Sequence, residues 1–190
     1  MKYLELQQAI DQSLFTILDV KKKFPKEKEL SLRTQLSRFV QKGLLVKIKR
    51  GLYCFIPSSI DEFELANKLY QPSYVSLETA LNYYGVIPDI SQGITSVSLT
   101  TTKKISNKFG VFYYAKIKPT LFWGWLKVKL VGSDGFFLMA QKEKALLDFF
   151  YLRRVKYKGD LRLNLDNFNF RRYQKYVKNF PRWVQTIKLQ

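Results

Sequence analysis

The sequence predicts an α+β fold, with an N-terminal winged helix-turn-helix followed by an α+β domain whose small antiparallel sheet is flanked by helices. Three patterns predict this arrangement. Two helix patterns and then a short alternating hairpin occupy residues 16–55, and beyond residue 59 the chain passes from helices to strands and back to helices. The Pro-Ser-Ser cluster at residues 57–59 marks the boundary, so the predicted domains are residues 1–58 and 59–190.

A capping box predicts the first helix of the helix-turn-helix. Thr16 is expected to cap a helix that has the carboxylate Asp19 at its third position, and Pro25 ends this helix after Phe24. An earlier helix over residues 3–12 is expected to pack across the pair. The side chains predicted to face inward in these two helices are Leu4, Leu6, Ile10, Ile17, Leu18 and Val20.

The second helix is predicted to begin at the N-cap Ser31 and to run to Lys42, with Gly43 as a left-handed C-cap. Its apolar residues, spaced i, i+4, i+7 and i+8, form one buried stripe: Leu32, Leu36, Phe39 and Val40. The opposite face is polar, with three cations and no acid, and comprises Arg33, Thr34, Gln35, Ser37, Arg38, Gln41 and Lys42. Arg and Gln can read base edges while Ser, Thr and Lys hold phosphates, so this face is typical of a helix that enters a DNA groove; the alternative is an ordinary solvated face.

A basic hairpin follows this helix. Val46 and Ile48 alternate with Lys47 and Lys49, which predicts a half-buried strand, and the turn Arg50-Gly51 leads into a return strand over residues 52–55. Its cationic tip is suited to a phosphate backbone or a minor groove. The predicted DNA-binding residues are therefore Ser31, Arg33, Thr34, Gln35, Ser37, Arg38, Gln41, Lys42, Lys47, Lys49 and Arg50.

The charge of the chain favours a polyanionic partner. There are 33 Lys and Arg residues against 15 Asp and Glu residues, a formal net charge of +18. Residues 1–58 hold 12 cations and 5 acids, residues 59–152 hold 10 and 8, and residues 153–190 hold 11 and 2. The two ends are basic and the middle is close to neutral, which indicates a core-forming segment between two segments that face polyanions.

The cysteine count and the apolar patterning indicate a cytoplasmic protein. Cys54 is the single cysteine, so an internal disulfide is impossible, and on a strand it is expected to be a small buried apolar residue. No apolar run has the length of a membrane span, and the N-terminal residues lack the apolar core of a signal peptide.

The second domain is predicted to contain helices over residues 61–70 and 76–84, the second capped by Ser76 and ended by Gly85. Strands are predicted over residues 94–101, 111–117, 121–131 and 136–139. A largely buried helix over residues 141–152 and two shorter helices over residues 167–179 and 182–189 complete the chain.

Three separated segments resemble the AbiEi family of antitoxins from type IV toxin–antitoxin and abortive-infection (phage-defence) systems. They are LSRFVQKGLLVKIKRGLYCF, ELANKLYQPSYVSLETALNYYGVIP and EKALLDFFY, in this order within residues 15–152. The resemblance implies a winged helix-turn-helix that binds inverted repeats of double-stranded DNA at its own promoter and represses its operon. It also implies a C-terminal domain that counteracts a nucleotidyltransferase-like toxin, without a stable complex being required.

Within the C-terminal domain the resemblance singles out the residues Pro72, Tyr74, Ser76, Glu143, Lys144 and Asp148. One residue departs from the family pattern: Lys142 stands where the family often has Pro, a change expected to affect only the start of a helix. Fold packing and capping is the alternative to direct action of these residues on a toxin.

An enzyme is the rival class, and the composition argues against it. The chain has no histidine and one cysteine, which excludes histidine-based acid–base chemistry and thiolate zinc clusters. The acids at positions 61, 62 and 64 open a helix, where acids are expected in any case. We therefore expect no catalysis, no cofactor and no metal.

Two more classes are compatible with the sequence, an RNA-binding protein and a stand-alone regulator. The segment 153–188 combines eleven cations with the aromatic residues Tyr157, Phe168, Phe170, Tyr173, Tyr176 and Trp183. Basic residues interleaved with aromatics can bind single strands, whereas core packing would also account for the aromatics. The sequence leaves open the operator, the oligomeric state, the identity of the toxin and how it is neutralised, and whether the basic tail over residues 153–190 binds DNA, RNA or neither.

Overall fold

A computed structural model describes residues 1–56, 60–132, 135–155 and 161–189. Within them the chain is a mixed α+β protein with two sheets. The helices are α1 (Tyr3–Ala9), α2 (Ile17–Lys23), α3 (Glu29–Gln41), α4 (Glu62–Leu69), α5 (Leu77–Tyr83), α6 (Lys142–Arg153), α7 (Phe170–Val177) and α8 (Arg182–Gln185). The strands are β1 (Leu14–Thr16), β2 (Leu45–Lys49), β3 (Leu52–Phe55), β4 (Ser73–Val75), β5 (Ile94–Ser98), β6 (Lys103–Asn107), β7 (Gly110–Lys116), β8 (Trp125–Lys129) and β9 (Phe136–Ala140).

The chain divides into two compact units. The first unit comprises Met1–Leu69 with Lys129–Phe136, and the second unit comprises Tyr70–Val128 with Phe137–Gln190. The predicted boundary at residues 57–59 lies outside the described residues. Helix α4, which was predicted to belong to the second domain, groups with the first unit.

The first unit has the order α1-β1-α2-α3-β2-β3, and its sheet has the order β1-β3-β2 with both pairs antiparallel. The capping box is confirmed: the Asp19 amide donates to Thr16 Oγ1 at 3.3 Å and the Thr16 amide donates to Asp19 Oδ2 at 2.8 Å. The core draws residues from every one of these helices and strands: Leu6, Ile10, Phe15, Ile17, Val20, Leu32, Leu36, Leu45 and Tyr53. Cys54 is buried and free, as predicted.

Helix α3 begins earlier than predicted. It starts at Glu29 with Lys28 as its N-cap, so Ser31 lies inside the helix and not at its cap. Glu29 suits the first turn because a carboxylate interacts favourably with the positive end of the helix dipole. The end of the helix is as predicted: Gly43 has φ +69°, and the amides of Gly43 and Leu44 each donate back into the last turn at 3.0 Å, a Schellman arrangement.

Other details of the first unit also differ from the prediction. Helix α1 ends at Ala9 and not at residue 12, and strand β1 was not predicted. Leu4 and Leu18 are 70% and 63% exposed although both were expected to face inward. Each helix has only seven residues, so the stripe that faces the core is narrow, and Leu6, Ile17 and Val20 fill it.

The second unit contains a six-stranded sheet with the order β6-β7-β5-β4-β9-β8. The predicted small antiparallel sheet is wrong in size and in direction, because β4 pairs with β9 and β5 with β7 in parallel. Strands β4 and β6 were not predicted. β4 has three residues and its partners are distant in sequence, whereas β6 is an edge strand with mostly polar, exposed residues, so neither carries a strong local signal.

Helices cover the central strands of this sheet. α5 packs against β5 and α6, and α7 and α8 pack against α6. Helix α6 is buried over most of its length, as predicted, and Gly85 ends the region of α5 with φ +67°. In the described part of the chain no helix combines the length and the apolar character that crossing a bilayer requires.

Candidate functional site

The predicted DNA-binding face of α3 is largely open to solvent. Leu32 and Leu36 are fully buried, which turns the opposite side of the helix outward. The exposed residues of this side are Arg33, Thr34, Ser37, Arg38, Gln41 and Lys42, while Ser31 and Gln35 are half-buried. Neither Arg33 nor Arg38 is sequestered in the core.

Contacts within α3 occupy part of this face. Arg33 forms an i,i+4 ion pair with Glu29, with its Nη2 donating at 2.6 Å and its Nε at 2.9 Å. The residues predicted for this face include no acid, but α3 begins earlier than predicted and adds Glu29 beside Arg33. Gln35 Nε2 donates to Ser31 Oγ at 3.3 Å, which turns both residues toward each other.

Four of the predicted cations are exposed and make no side-chain hydrogen bond or ion pair with the residues that the structure describes: Arg38, Lys42, Lys47 and Arg50. Lys49 differs from them, since its Nζ donates to the Leu69 carbonyl at 2.8 Å at the end of α4. The part of the predicted site that is open to an external anion therefore consists of the last turn of α3 and the hairpin tip.

The hairpin is fixed to the rest of the first unit. Its strands pair antiparallel with Leu45 opposite Phe55, and the register shifts between Lys47 and Lys49. Gly51 has φ +80°, and its carbonyl accepts the amide of Ile17 at 3.3 Å, at the start of α2. The cationic turn is thus attached to the helix pair and does not project as a free loop.

In the second unit, four residues of the two antitoxin-type motifs meet in one buried cluster. Tyr74 Oη and Ser76 Oγ each donate to Asp148 Oδ2 at 3.0 Å. Lys144 Nζ donates to Tyr74 Oη at 2.9 Å and forms an ion pair with Asp148 Oδ1. All four side chains are completely buried. Ser76 is the N-cap residue of α5, as predicted, but its Oγ makes this contact and not a capping hydrogen bond.

Aromatic rings enclose the Lys144 ammonium. Its Nζ lies 5.3 Å from the ring centroids of Tyr74 and Trp123 and 5.5 Å from that of Phe180. Gly124 (φ +76°) runs against the stem of the side chain, where an added Cβ would lie 3.0 Å from Lys144 Cγ. No local sequence pattern connects Trp123 and Phe180 to Lys144, since the contacts depend on tertiary structure.

Burial controls the protonation of this cluster. Loss of solvent lowers the pKa of the Lys144 ammonium and raises the pKa of the Asp148 carboxyl, and each charge offsets part of the effect on the other. Burial and the neighbouring carboxylate raise the pKa of the Tyr74 phenol well above its usual value. Since no member is open to solvent, the cluster can position α6 against β4 but cannot itself contact a substrate.

Pro72 and Glu143 lie outside this cluster. Pro72 follows a cis peptide bond, and its carbonyl accepts Ser98 Oγ at 2.9 Å. Glu143 accepts the Asn169 amide at 3.0 Å and Arg172 Nη1 at 3.3 Å, so it ties α6 to the start of α7. The described residues contain no group of three or more Asp, Glu, Cys or His side chains that could hold a metal ion.

Two of the described aromatic residues of the tail belong to the core, and two more, Tyr176 and Trp183, are half-buried. Phe168 and Tyr173 are 7% and 3% exposed, in agreement with core packing, whereas Phe170 is 37% exposed. Tyr157 lies outside the described residues. In comparisons with known proteins, no family model and no curated protein matches this chain.

Proposed function

We propose that the first unit is a winged helix-turn-helix and that α3 is its recognition helix. The element order, the three-stranded antiparallel sheet and the hairpin that follows Gly43 directly support this assignment. The helices α2 and α3 are joined by a short segment and share a core with β2 and β3.

On this proposal the chain is a transcriptional autoregulator that represses its own operon through an inverted-repeat operator. The observation that carries it is the set of four exposed cations without a partner among the described residues, on α3 and the hairpin tip. Arg38 is the residue that reads a base edge, because it lies in the middle of the polar face and its guanidinium is not held by Glu29 as that of Arg33 is. Lys42, Lys47 and Arg50 hold phosphates.

A footprint on the DNA upstream of the gene tests this proposal, and two protected half-sites are expected. Arg38→Ala should weaken operator binding by about 1–3 kcal/mol and have a smaller effect on an unrelated duplex. Lys47→Met should weaken both duplexes alike and lower the salt slope by about 1. Lys49→Met is the matched control on the same strand, and a smaller loss is expected because the Leu69 carbonyl already holds this ammonium.

Two results would each contradict one part of this proposal, the regulator assignment or the base-reading role of Arg38. One is the absence of a footprint on the upstream DNA. The other is an equal loss for Arg38→Ala on the operator and on unrelated DNA, since it would make Arg38 a phosphate contact and not a base contact.

We propose further that the chain is the antitoxin of a type IV, AbiE-like system and counteracts a nucleotidyltransferase-like toxin. This proposal is supported by the meeting of two of the three resembling segments in the Tyr74–Ser76–Lys144–Asp148 cluster. The second unit would supply the antitoxin activity, and the buried cluster would keep its fold.

Co-expression with a nucleotidyltransferase-like toxin from the neighbouring gene tests this second part. The full chain is expected to restore growth, and so is the Arg38→Ala variant, because its change lies in the first unit. A well-expressed, folded chain that leaves growth arrested would show that the antitoxin assignment is wrong. A gene without such a neighbour would favour a stand-alone regulator.

A further inference from the structure

A cleft of about 320 Å³ lies in the second unit between α7 and the chain that follows α8. Phe170, Tyr173, Gln174 and Val177 of α7 line one side, at the i, i+3, i+4, i+7 spacing of a single helix face, and Ile187 and Lys188 line the other. This volume is in the range of small-ligand pockets and holds a group the size of one nucleotide, not a duplex.

The walls of the cleft combine an apolar floor with a polar rim. Tyr173, Val177 and Ile187 are buried, whereas Gln174 and Lys188 are exposed at the rim. Phe170 leaves 37% of its surface open to solvent. A ring, an amide and an ammonium around one small cleft are the groups that stack a planar base, hydrogen-bond its edge and hold its phosphate.

Tyr173, which lines the cleft, carries a further polar group, its hydroxyl. It is buried and makes no hydrogen bond with the residues that the structure describes. A buried hydroxyl without a partner is costly, so a ligand that supplies an acceptor at the floor would gain from it.

The segment that forms the cleft is basic, which suits a polyanion. From residue 167 to residue 190 the chain has six cations and no acid. Arg172 is paired with Glu143. The other five are exposed and form no ion pair with the described residues: Arg171, Lys175, Lys178, Arg182 and Lys188. Core packing explains the buried aromatics of this segment but not these cations.

We propose that this cleft binds one unpaired base of a single-stranded nucleic acid, with the cations of α7 and α8 holding the neighbouring phosphates. A base within a duplex is stacked on both faces and cannot enter. The proposal concerns the second unit alone and is independent of operator binding by the first unit, so the Arg38→Ala and Lys47→Met variants should retain it.

Fluorescence anisotropy of the full chain with a labelled single strand of about ten nucleotides tests the proposal. The matched probe is an abasic strand of the same length, which keeps the phosphates and removes the bases. We expect the strand with bases to bind about fivefold to a hundredfold more tightly than the abasic strand. Equal affinity for the two strands would overturn the proposal, and so would displacement by free AMP at concentrations equal to those of the strand.

Substitutions in the cleft separate base binding from charge. Phe170→Leu keeps an apolar side chain on α7, and it should lower affinity for the strand with bases while leaving the abasic strand unaffected. Lys175→Ala, the control on the same helix, should weaken both strands by the same factor. If Phe170→Leu changed neither affinity, or changed both equally, the cleft would not be a base site.

Tyr173→Phe distinguishes a ligand contact from a structural role. The hydroxyl has no partner among the described residues, so its removal should leave the thermal midpoint unchanged or raise it, while affinity for the strand with bases falls about twofold to tenfold. A lower midpoint with unchanged affinity would show that the hydroxyl serves the fold and would remove it from the proposed site.

Discussion

At the scale of single residues, Lys144 is the side chain whose environment departs furthest from that of a typical lysine. It is completely buried, paired with Asp148 and enclosed by three aromatic rings. Replacing both charges of a buried pair can be nearly neutral, but removing only one leaves an uncompensated charge in the interior. The cluster is therefore sensitive to single substitutions and tolerant of matched ones.

Lys144→Met is expected to destabilise the second unit by about 3–5 kcal/mol, measured by urea unfolding at neutral pH. The pKa of Asp148 is already raised by burial, so without Lys144 the folded state binds a proton more readily than the unfolded chain. The loss of stability should therefore shrink as the pH falls toward the usual range of a carboxyl group. The double variant Lys144→Met with Asp148→Asn, which keeps an acceptor for Tyr74, should recover part of the loss. If the free energy of unfolding of Lys144→Met alone were within about 1 kcal/mol of that of the original protein, this account would be refuted.

The raised pKa of Tyr173 predicts how the free energy of unfolding changes at alkaline pH. Burial raises its pKa to about 12. An unfolded tyrosine ionises near pH 10, so between about pH 10 and 12 the folded state keeps a proton that the unfolded chain has released. The free energy of unfolding therefore falls across this range, by about 1.4 kcal/mol per pH unit. Urea unfolding across this range should show a smaller decline for Tyr173→Phe than for the original protein, and an identical decline would contradict the prediction.

At the scale of elements, the two helix ends marked by glycine were predicted correctly, whereas the start of α3 was not. Gly43 and Gly85 are both in the left-handed conformation at the ends of α3 and α5, as their positions in the sequence indicate. The N-cap of α3 was predicted at Ser31, three residues after the observed N-cap Lys28, because serine is a good cap in isolation. The acid at position 29 in the first turn, and its ion pair with Arg33, favour the longer helix.

The substitution Gly43→Ala measures how much the glycine at the end of α3 contributes to stability. No atom lies within 4 Å of the added Cβ, so the cost comes from the left-handed backbone alone and should be about 1–2 kcal/mol. Gly43→Asn is the control, because asparagine adopts this conformation more readily, and it should cost less. Thermal unfolding measures both, and equal costs for the two variants would contradict an origin in backbone conformation.

The strands show which parts of a sheet local sequence patterns can predict and which they cannot. The hairpin β2–β3 was predicted because alternation and a turn glycine lie within a few residues of each other. β4 consists of three buried residues between a proline and a helix, and its partners β5 and β9 lie far along the chain. Its existence and the parallel pairings follow from tertiary structure, which a single sequence expresses only weakly.

The residues of the candidate sites also divide into those that a local sequence pattern predicted and those that it did not. The helical period predicted the polar face of α3, and the alternation along the hairpin predicted its exposed cations. Lys42, Lys47 and Arg50 are exposed, in agreement with these patterns. The period could not indicate which cations the fold itself engages, as the Leu69 carbonyl engages Lys49. The cage around Lys144 joins segments distant in sequence and had no local signal, whereas the cleft beside Phe170 lies within the basic and aromatic tail that the sequence singled out.

At the scale of the whole molecule, positive and negative charges are more segregated along the chain than the numbers of cations and acids in the three segments suggest. The middle of the chain is nearly neutral by count, yet residues 90–133 contain seven lysines and no acid. Its acids belong mainly to the helices α4, α5 and α6, where Glu64, Glu78 and Asp148 are paired with cations. Excess positive charge thus reaches the surface in both units, and binding to any polyanion will depend on salt.

Salt dependence can assign the basic tail to one nucleic acid. The tail cannot be removed for this purpose, because Tyr173, Val177 and Val184 belong to the buried core. The exposed cations Lys175, Lys178 and Arg182 can instead be replaced together by glutamine. If the tail holds a single strand, the slope of log affinity against log salt for that strand should fall by about 2, since each neutralised phosphate contributes about 0.7. The slope for the operator duplex should change by less than about 1 if, as proposed, its contacts belong to α3 and the hairpin. A fall of the same size on the duplex would instead make the tail part of the operator interface and would contradict its assignment to a single strand.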